Sequence, residues 1–358
     1  MSGRALLYGA TGYTGRLVAK RLASMGVDVI LAGRDAYAVR SVAEPLRLSW
    51  TAFDLADAAD IERALSHVSV VLHAAGPFEQ TAKPMLDACL ETKRHYLDLN
   101  GEWPGFLDAM ARDREARDAG IMVMPGVGLT ITATDCLLAL AYKAQPNAVA
   151  LRLGVSRPEV VTRGTVVSAA TLTSKDVVVR RDHRLVTVPA GSLCHAFDFG
   201  RGLQEATALS WADVVTGGFT TGVGDITVYS QLGWTQRASY RASAMVMDVT
   251  GAAPWRKLGA TLAKAWPETP RASALEKARF VMVAEAIDPW RRVRRVRMGT
   301  LDGYAVSELT AAEAVRQVLL GRHKPGFQTP ARMFGAAFIL TLGCAELYPW
   351  HDDLGAST

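Results

Sequence analysis

Tyr8-Gly9-Ala10-Thr11-Gly12-Tyr13-Thr14-Gly15 follows a short apolar run, Ala5-Leu6-Leu7, and leads into an amphipathic helical pattern. A strand, a glycine turn and a helix in that order predict a loop that holds a dinucleotide. Gly9 permits the tight turn, Gly12 lets backbone approach a pyrophosphate, and Gly15 lets the helix pack close to the strand. Ala10, Thr11, Tyr13 and Thr14 complete the cradle, whose N–H groups and positive helix end would face the phosphates. The alternative is a glycine turn that binds nothing; the segments that follow argue against it.

Outward from this loop, strand-like runs alternate with helical patterns through about residue 125. The predicted strands are Arg4 to Gly9, Asp28 to Ala32, Arg47 to Phe53, Ser69 to Ala74, His95 to Leu99 and Ile121 to Met124. In the first helix Leu17, Val18, Leu22 and Met25 share a face, as a helix lying on a sheet requires. This is the rhythm of an α/β fold, a Rossmann doubly wound parallel sheet, and it predicts the order 3-2-1-4-5-6 with the cofactor across the carboxyl ends.

The second strand ends in Gly33-Arg34-Asp35. An acidic residue there would serve the ribose 2′-hydroxyl of NAD, whereas the guanidinium of Arg34 matches the extra phosphate of NADP. NADP is therefore the expected cofactor, with Asp35 capping the next helix. Asp54 follows the third strand and reaches either the adenine edge or only its own turn. Ala74-Ala75-Gly76-Pro77-Phe78 follows the fourth, and its small residues would let ribose and nicotinamide lie against backbone.

After Pro125-Gly126 and an apolar helix near Thr132 to Lys143, strands begin to follow one another without helices between them. Val149 to Val155, Val177 to Arg181, Arg184 to Val188, Leu193 to Phe199, Ile226 to Ser230, Phe280 to Ile287 and Trp290 to Met298 are the candidates. They predict an inserted second α/β domain with a mixed or antiparallel sheet, suited to substrate and to homodimer formation. Thr310 and Glu313 have the spacing of a capping box for a helix Ala311 to Leu320. A last helix, Ala331 to Leu342, should return to the first domain. The expected division is 1–125 with 326–358 against 126–325.

With 358 residues, 49% hydrophobic and 21% charged, the composition is globular and long enough for two cores. A formal charge of +5 is too thinly spread to indicate nucleic acid. Cys89, Cys136, Cys194 and Cys344 lie far apart in apolar surroundings, so buried thiols are expected and neither disulfides nor a metal site. No signal-like N-terminus is seen, and Met333 to Ala345 falls short of the ~20 residues a membrane span needs. The reading is a cytoplasmic protein without a membrane span.

The chain resembles the saccharopine dehydrogenase-like oxidoreductases, the group of saccharopine reductases and trans-acting enoyl reductases. The resemblance rests on residues 9–15, on Gly76-Pro77-Phe78, on Asp87-Ala88-Cys89 and above all on His95-Tyr96-Leu97-Asp98-Leu99-Asn100-Gly101-Glu102. Asp302-Gly303-Tyr304 and Thr329-Pro330-Ala331 extend it toward the C-terminus. It implies a Rossmann domain, an inserted domain after the sixth strand and a last helix docking back. Asn100 stands where the group has threonine or serine, and residues 125–129 also depart from its pattern, both on the substrate side.

Hydride transfer needs an electrophilic carbon near the nicotinamide and a proton for the neighbouring atom. No tyrosine is followed four residues later by lysine, which argues against carbonyl reduction by the short-chain dehydrogenase route. Reduction of a C=N or C=C bond remains, on a small-molecule or carrier-bound substrate. The catalytic candidates are Asn100, Glu102, Asp225 and Tyr229, each with an ordinary structural role as its alternative. Arg291, Arg292, Arg294, Arg295 and Arg297 crowd one strand, where they either attract an anionic substrate or protect a solvated edge. A non-catalytic NADP-binding regulator or scaffold is the alternative to a reductase.

Overall fold

The computed structural model describes residues 3–157, 176–232 and 278–349. The chain divides into two compact units, Met1–Cys136 with Gly303–Cys344, and Leu137–Asp302 with Ala345–Thr358.

The first unit is built on β1 (Ala5–Tyr8), β2 (Val29–Gly33), β3 (Ser49–Ala52), β4 (Val70–His73), β5 (His95–Asp98), β6 (Met122–Met124) and β15 (Gly326–Phe327). Their order is β15-β6-β5-β4-β1-β2-β3, every pair parallel. The sheet therefore reverses between β1 and β4, the switch point where ligands of such sheets lie. All four residues of β1 and of β4 are buried, as central parallel strands covered on both faces should be. The helices of this crossover region are α1 (Tyr13–Ser24), α2 (Ala36–Leu46), α3 (Ala58–Leu65), α4 (Phe78–Thr92), α5 (Trp103–Ala111) and α6 (Asp113–Asp118).

The slot beside α1 and β4 is filled from the far end of the sequence by α9 (Gly303–Leu319). Ala311, Ala312, Ala314, Val315, Val318 and Leu319 join Leu7, Val18, Leu22 and Leu72 in one core. The units thus divide at 136, 302 and 344, where the sequence suggested 125 and 325, because the apolar face of α9 belongs to this core. Helix α9 also begins eight residues before the expected start. Thr310 is mid-helix, its hydroxyl donating to the carbonyls of Val127 and Val306, and Glu313 pairs with Arg316, so neither forms a capping box. The expected last helix is broken by Gly335, which has φ +97°. It becomes α10 (Pro330–Phe334), whose Ala331 N–H is accepted by Asp135 at 2.8 Å, and a 3₁₀ turn, Phe338–Leu342.

The second unit carries β7 (Ala150–Val155), β8 (Asp176–Arg181), β9 (Arg184–Pro189), β10 (Cys194–Asp198), β11 (Leu203–Ala208), β12 (Asp225–Ser230), β13 (Phe280–Ile287), β14 (Val293–Thr300) and β16 (Ala345–Tyr348). The helix α7 (Leu129–Ala144) leads into it, and α8 (Asp213–Thr221) packs on β8 and β12. The path β10-β11-β12-β7-β13-β14-β16 is mixed, with β7 and β12 parallel and the other neighbours antiparallel. A hairpin of β8 and β9 branches from β12. The sheet coils on itself: Phe197 of β10 lies over Gly154 of β7, leaving no room there for a Cβ. The core between these layers contains Val177, Val179, Phe197, Tyr229 and Val283.

Two expectations need correction. The arginine-rich strand β14 is an interior strand, paired with β13 on one side and β16 on the other, so it is not a charged edge. Cys194 is exposed, whereas Cys89, Cys136 and Cys344 are buried as expected.

Candidate functional site

Gly9 has φ +90°, and a Cβ built on it would stand 2.7 Å from the backbone of Ala74 and Ala75. The exits of β1 and β4 thus meet at a point only glycine can occupy. The N–H groups of Gly9 and Ala10 are both accepted by Ala32, which ties the turn to β2. Gly12 is the N-cap of α1 and provides no side-chain cap to its first turn. A Cβ on Gly12 would meet nothing nearer than 3.5 Å, so the surface above it is open. An uncapped helix start under an open glycine is a fitting cradle for a pyrophosphate. The side chain of Arg16 braces the loop by donating to Thr11 O at 2.9 Å. Tyr13 leans edge-on against Tyr304 of α9, with ring centroids 4.8 Å apart. Thr14 completes the first turn of α1.

At the end of β2 the two charged residues divide their work. Asp35 is the N-cap of α2 and accepts the Ala38 N–H at 3.0 Å, so its carboxylate is engaged in the turn. Arg34 is exposed. Asp54 accepts the Ala56 N–H at 2.9 Å and so shapes its own turn. Between the strand ends lies Tyr8, whose hydroxyl donates to Phe53 O at 3.2 Å. Burial and the charge of Asp54 push this phenol up to about 12, while Arg34 acts in the opposite direction. Arg34 and Asp54 therefore act electrostatically on the same small region.

Beyond β4, Ala74 and Ala75 are half-buried, Gly76 and Pro77 are exposed, and Phe78 begins α4. This segment is held from beneath by two residues absent from the sequence-level candidates. Thr81 donates its hydroxyl to Ala75 O at 2.6 Å, with Pro77 O at 3.0 Å, and its oxygen lies 3.0 Å from His73 Nε2. Because the threonine proton goes to a carbonyl, Nε2 must carry the histidine proton and Nδ1 must be bare. Nδ1 is buried without a hydrogen-bond partner, and burial lowers the imidazole pKa to about 3. A histidine ending a buried strand just before small residues was the available sequence signal, but periodicity does not report a neutral imidazole.

The exit of β5 is equally ordered. Tyr96 donates to Asp98 at 2.8 Å, and the other carboxylate oxygen of Asp98 accepts from Asn100 N at 2.9 Å and Gly126 N at 2.8 Å. Burial raises the Asp98 carboxyl to about 6 against these hydrogen bonds. Asn100 is buried, and its side-chain oxygen accepts the Glu102 N–H at 2.8 Å. Glu102 precedes α5, and its carboxyl is raised by burial and by the nearby charge of Glu79. Asn100 and Glu102 are thus brought together.

Asp225 and Tyr229 lie on β12 of the second unit. Asp225 accepts the Asp182 N–H at 2.8 Å and so fixes the β8–β9 turn. Tyr229 is buried with its ring 5.6 Å from Phe197 and 5.8 Å from His195. Among the described residues no group of histidine, cysteine and acidic side chains is arranged to hold a metal ion, and no helix is long and apolar enough to cross a membrane.

Residues 5–124 match the family described as saccharopine dehydrogenase NADP binding domain. A trans-acting enoyl reductase of Mycobacterium tuberculosis is 30% identical over 147 residues, 38% of this chain and 35% of that protein. One from Mycobacterium ulcerans is 28% identical over 138 residues, 36% and 33% of the two chains. The chain thus spans about a third of the length of the curated relatives it matches. The saccharopine dehydrogenase (L-Glu forming) of Saccharomyces cerevisiae has the same fold, with TM-score 0.65 and 14% identity over 97% of this chain and 100% of that one. A homospermidine synthase from Legionella pneumophila gives TM-score 0.61 and 9% identity over 100% and 94%. Residues 5–124 are accordingly a nicotinamide-dinucleotide-binding domain.

Proposed function

We propose, from the premise that residues 5–124 belong to the saccharopine dehydrogenase NADP-binding domain family, that this chain is an NADPH-dependent reductase. It transfers hydride to a C=N or C=C bond of a small-molecule or carrier-bound intermediate. The names of the mycobacterial relatives favour the C=C bond of a carrier-bound acyl chain. Their similarity covers less than two fifths of this chain, so the substrate is left to the remainder.

The observation that carries the cofactor assignment is the division between Arg34 and Asp35. With Asp35 committed to capping α2, the exposed charge at the end of β2 is a guanidinium, which matches a 2′-phosphate and not a bare hydroxyl. The cradle at Gly9, Gly12 and Gly15 receives the pyrophosphate. Ala74 to Phe78, fixed by Thr81 and His73, provides the floor for the nicotinamide ribose. Bound NADPH supplies the hydride, and the second atom of the reduced bond must gain a proton.

We assign the delivery of that proton to Glu102. Burial and Glu79 raise its carboxyl pKa, so it keeps a proton to higher pH than an ordinary glutamate, and the Asn100 side chain fixes the backbone from which it projects. Asp225 and Tyr229 instead serve the turn and core of the second unit.

A fluorescence titration of the full-length protein with NADPH and NADH tests this reading. NADPH should bind more tightly, and its oxidation should follow addition of an enoyl thioester or an imine. Binding of neither nucleotide would remove the assignment.

A further inference from the structure

Helix α9 begins at Gly303 and lies wholly in the first unit, although the family match ends at residue 124. Its first two turns carry Tyr304, Ser307 and Thr310, each three residues from the next and so neighbours on the helix surface. Each meets a different piece of the carboxyl edge of the first sheet. The Tyr304 ring stands against Tyr13 of the cradle, with centroids 4.8 Å apart and planes at 85°. Ser307 Oγ accepts the Leu129 N–H at 3.0 Å, and Thr310 donates to Val127 O at 2.7 Å. A Cβ built on Gly128 would lie 3.1 Å from Ser307 Oγ and 3.4 Å from the Leu99 side chain. Leu99 follows β5 and Gly128 follows β6, so the serine hydroxyl sits where the exits of those two strands meet.

In the reductase reading, Arg34 at the end of β2 marks the adenosine side of the cofactor, and the open glycine at the start of α1 marks its pyrophosphate. The order β6-β5-β4-β1-β2 then sends the nicotinamide half the other way, over β4 toward β5. Two strand spacings, about 10 Å, separate β1 from β5, which is the scale of one mononucleotide. That course passes Tyr304 at the cradle and ends near Ser307. The hydrogen-bond inventory of Ser307 points the same way, because a hydroxyl can accept and also has one proton to give. The oxygen takes the Leu129 N–H, and among the described residues the proton has no acceptor. The residue is half-buried, so the hydroxyl is oriented by backbone on one side and open to a ligand oxygen on the other.

We propose that Tyr304 and Ser307 complete the nucleotide site from the C-terminal segment: Tyr304 walls the pyrophosphate beside Tyr13, and Ser307 donates its proton to an oxygen of the nicotinamide half. Both are positioning residues, and the hydride leaves a ring whose place they set. Gly128 has a part in this, since a side chain there would press on the serine hydroxyl. The inference rests on the reading of the cradle as an NADPH site and carries that site beyond residues 5–124.

The test is a thiol footprint on the full-length protein. Cys194 is exposed and the other three cysteines are buried, so Cys194→Ser gives a quiet background in which Ser307→Cys reports alone. Its alkylation by N-ethylmaleimide is timed with saturating NADPH and, separately, with saturating 2′,5′-ADP, which has the adenosine side of the cofactor and no nicotinamide. At ten times its dissociation constant NADPH should slow the reaction about tenfold, whereas 2′,5′-ADP should leave it unchanged. Protection by both nucleotides, or by neither while both bind, overturns the inference and leaves the reductase reading intact. If the unmodified protein binds neither nucleotide, the reductase reading falls and the subsite with it. Affinities give an independent check. Ser307→Ala should weaken NADPH by about two- to tenfold without changing 2′,5′-ADP, and Ser307→Thr, which keeps the hydroxyl, should weaken it less. Should Ser307→Cys fail to fold, equal NADPH affinity in Ser307→Ala and the unmodified protein overturns the inference.

Discussion

A methyl group on Gly15 would overlap the carbonyl oxygen of Gly9, whereas one on Gly12 would stand 3.5 Å from that same atom. The two glycines are therefore needed for different reasons, although a sequence pattern treats them alike. Gly15 serves the fold, and Gly12 serves whatever lies above it. Gly15→Ala should lower unfolding stability by about 1–3 kcal/mol, the usual penalty for overpacking, and weaken nucleotide binding with it. Gly12→Ala should leave the melting temperature nearly unchanged and still weaken NADPH. Thermal denaturation beside a nucleotide titration separates them; full affinity in Gly12→Ala would place the pyrophosphate elsewhere.

Arg34→Ala should act on one nucleotide only. Removing a charge-assisted bond to phosphate costs about 1.5–3 kcal/mol, or roughly 10- to 100-fold in NADPH affinity. NADH, which has no 2′-phosphate, should bind the variant as it binds the unmodified protein. Equal losses for both would assign Arg34 to the adenine ring instead.

His73 gives the fold a particular response to acid. Its imidazole is buried, with a pKa near 3 in place of the ordinary 6.5, so between those values the unfolded chain binds a proton that the folded one refuses. Stability from this group is complete above about 6.5 and is lost as pH falls toward 3, by about 3–5 kcal/mol in all. Asp98 has the opposite sign, because its raised pKa near 6 favours the folded state at low pH. Comparing denaturant unfolding of His73→Asn with the unmodified protein cancels the Asp98 contribution. The variant should lose less stability on acidification, and parallel curves would contradict the assignment.

Glu102→Gln should reduce turnover with little change in NADPH affinity. General acid catalysis is typically worth about 10²–10⁴-fold in rate. The glutamine cannot supply a proton, so the loss should appear in kcat and not in the nucleotide titration. Unchanged kcat would transfer the proton delivery to water.

The first sheet was legible in the sequence because its strands are apolar runs separated by helical patterns, and their order follows from right-handed crossovers. Three strands were not. β15 is two residues inside a Pro325-Gly326 turn signal, β11 contains Gln204 and Glu205 in a half-exposed run, and β16 follows an apolar tail that looked helical throughout. Each becomes a strand through a neighbour distant in sequence, which local periodicity does not encode. At the site, the glycine loop and Arg34 could be read because their roles follow from charge and backbone freedom. His73 and Thr81 could not, since their meaning depends on which atoms meet across the fold.

Strand β15 and helix α9 come from residues 303–327, while the other six strands of their sheet are complete by residue 124. A ribosome therefore releases most of the nucleotide domain long before the pieces that close it. At about 5–20 residues per second the interval is roughly ten to forty seconds. During that time the apolar flank of α1 and the outer rim of β6 lack the partners that later cover them. Yield in the cell should then depend on how quickly translation passes through the inserted unit.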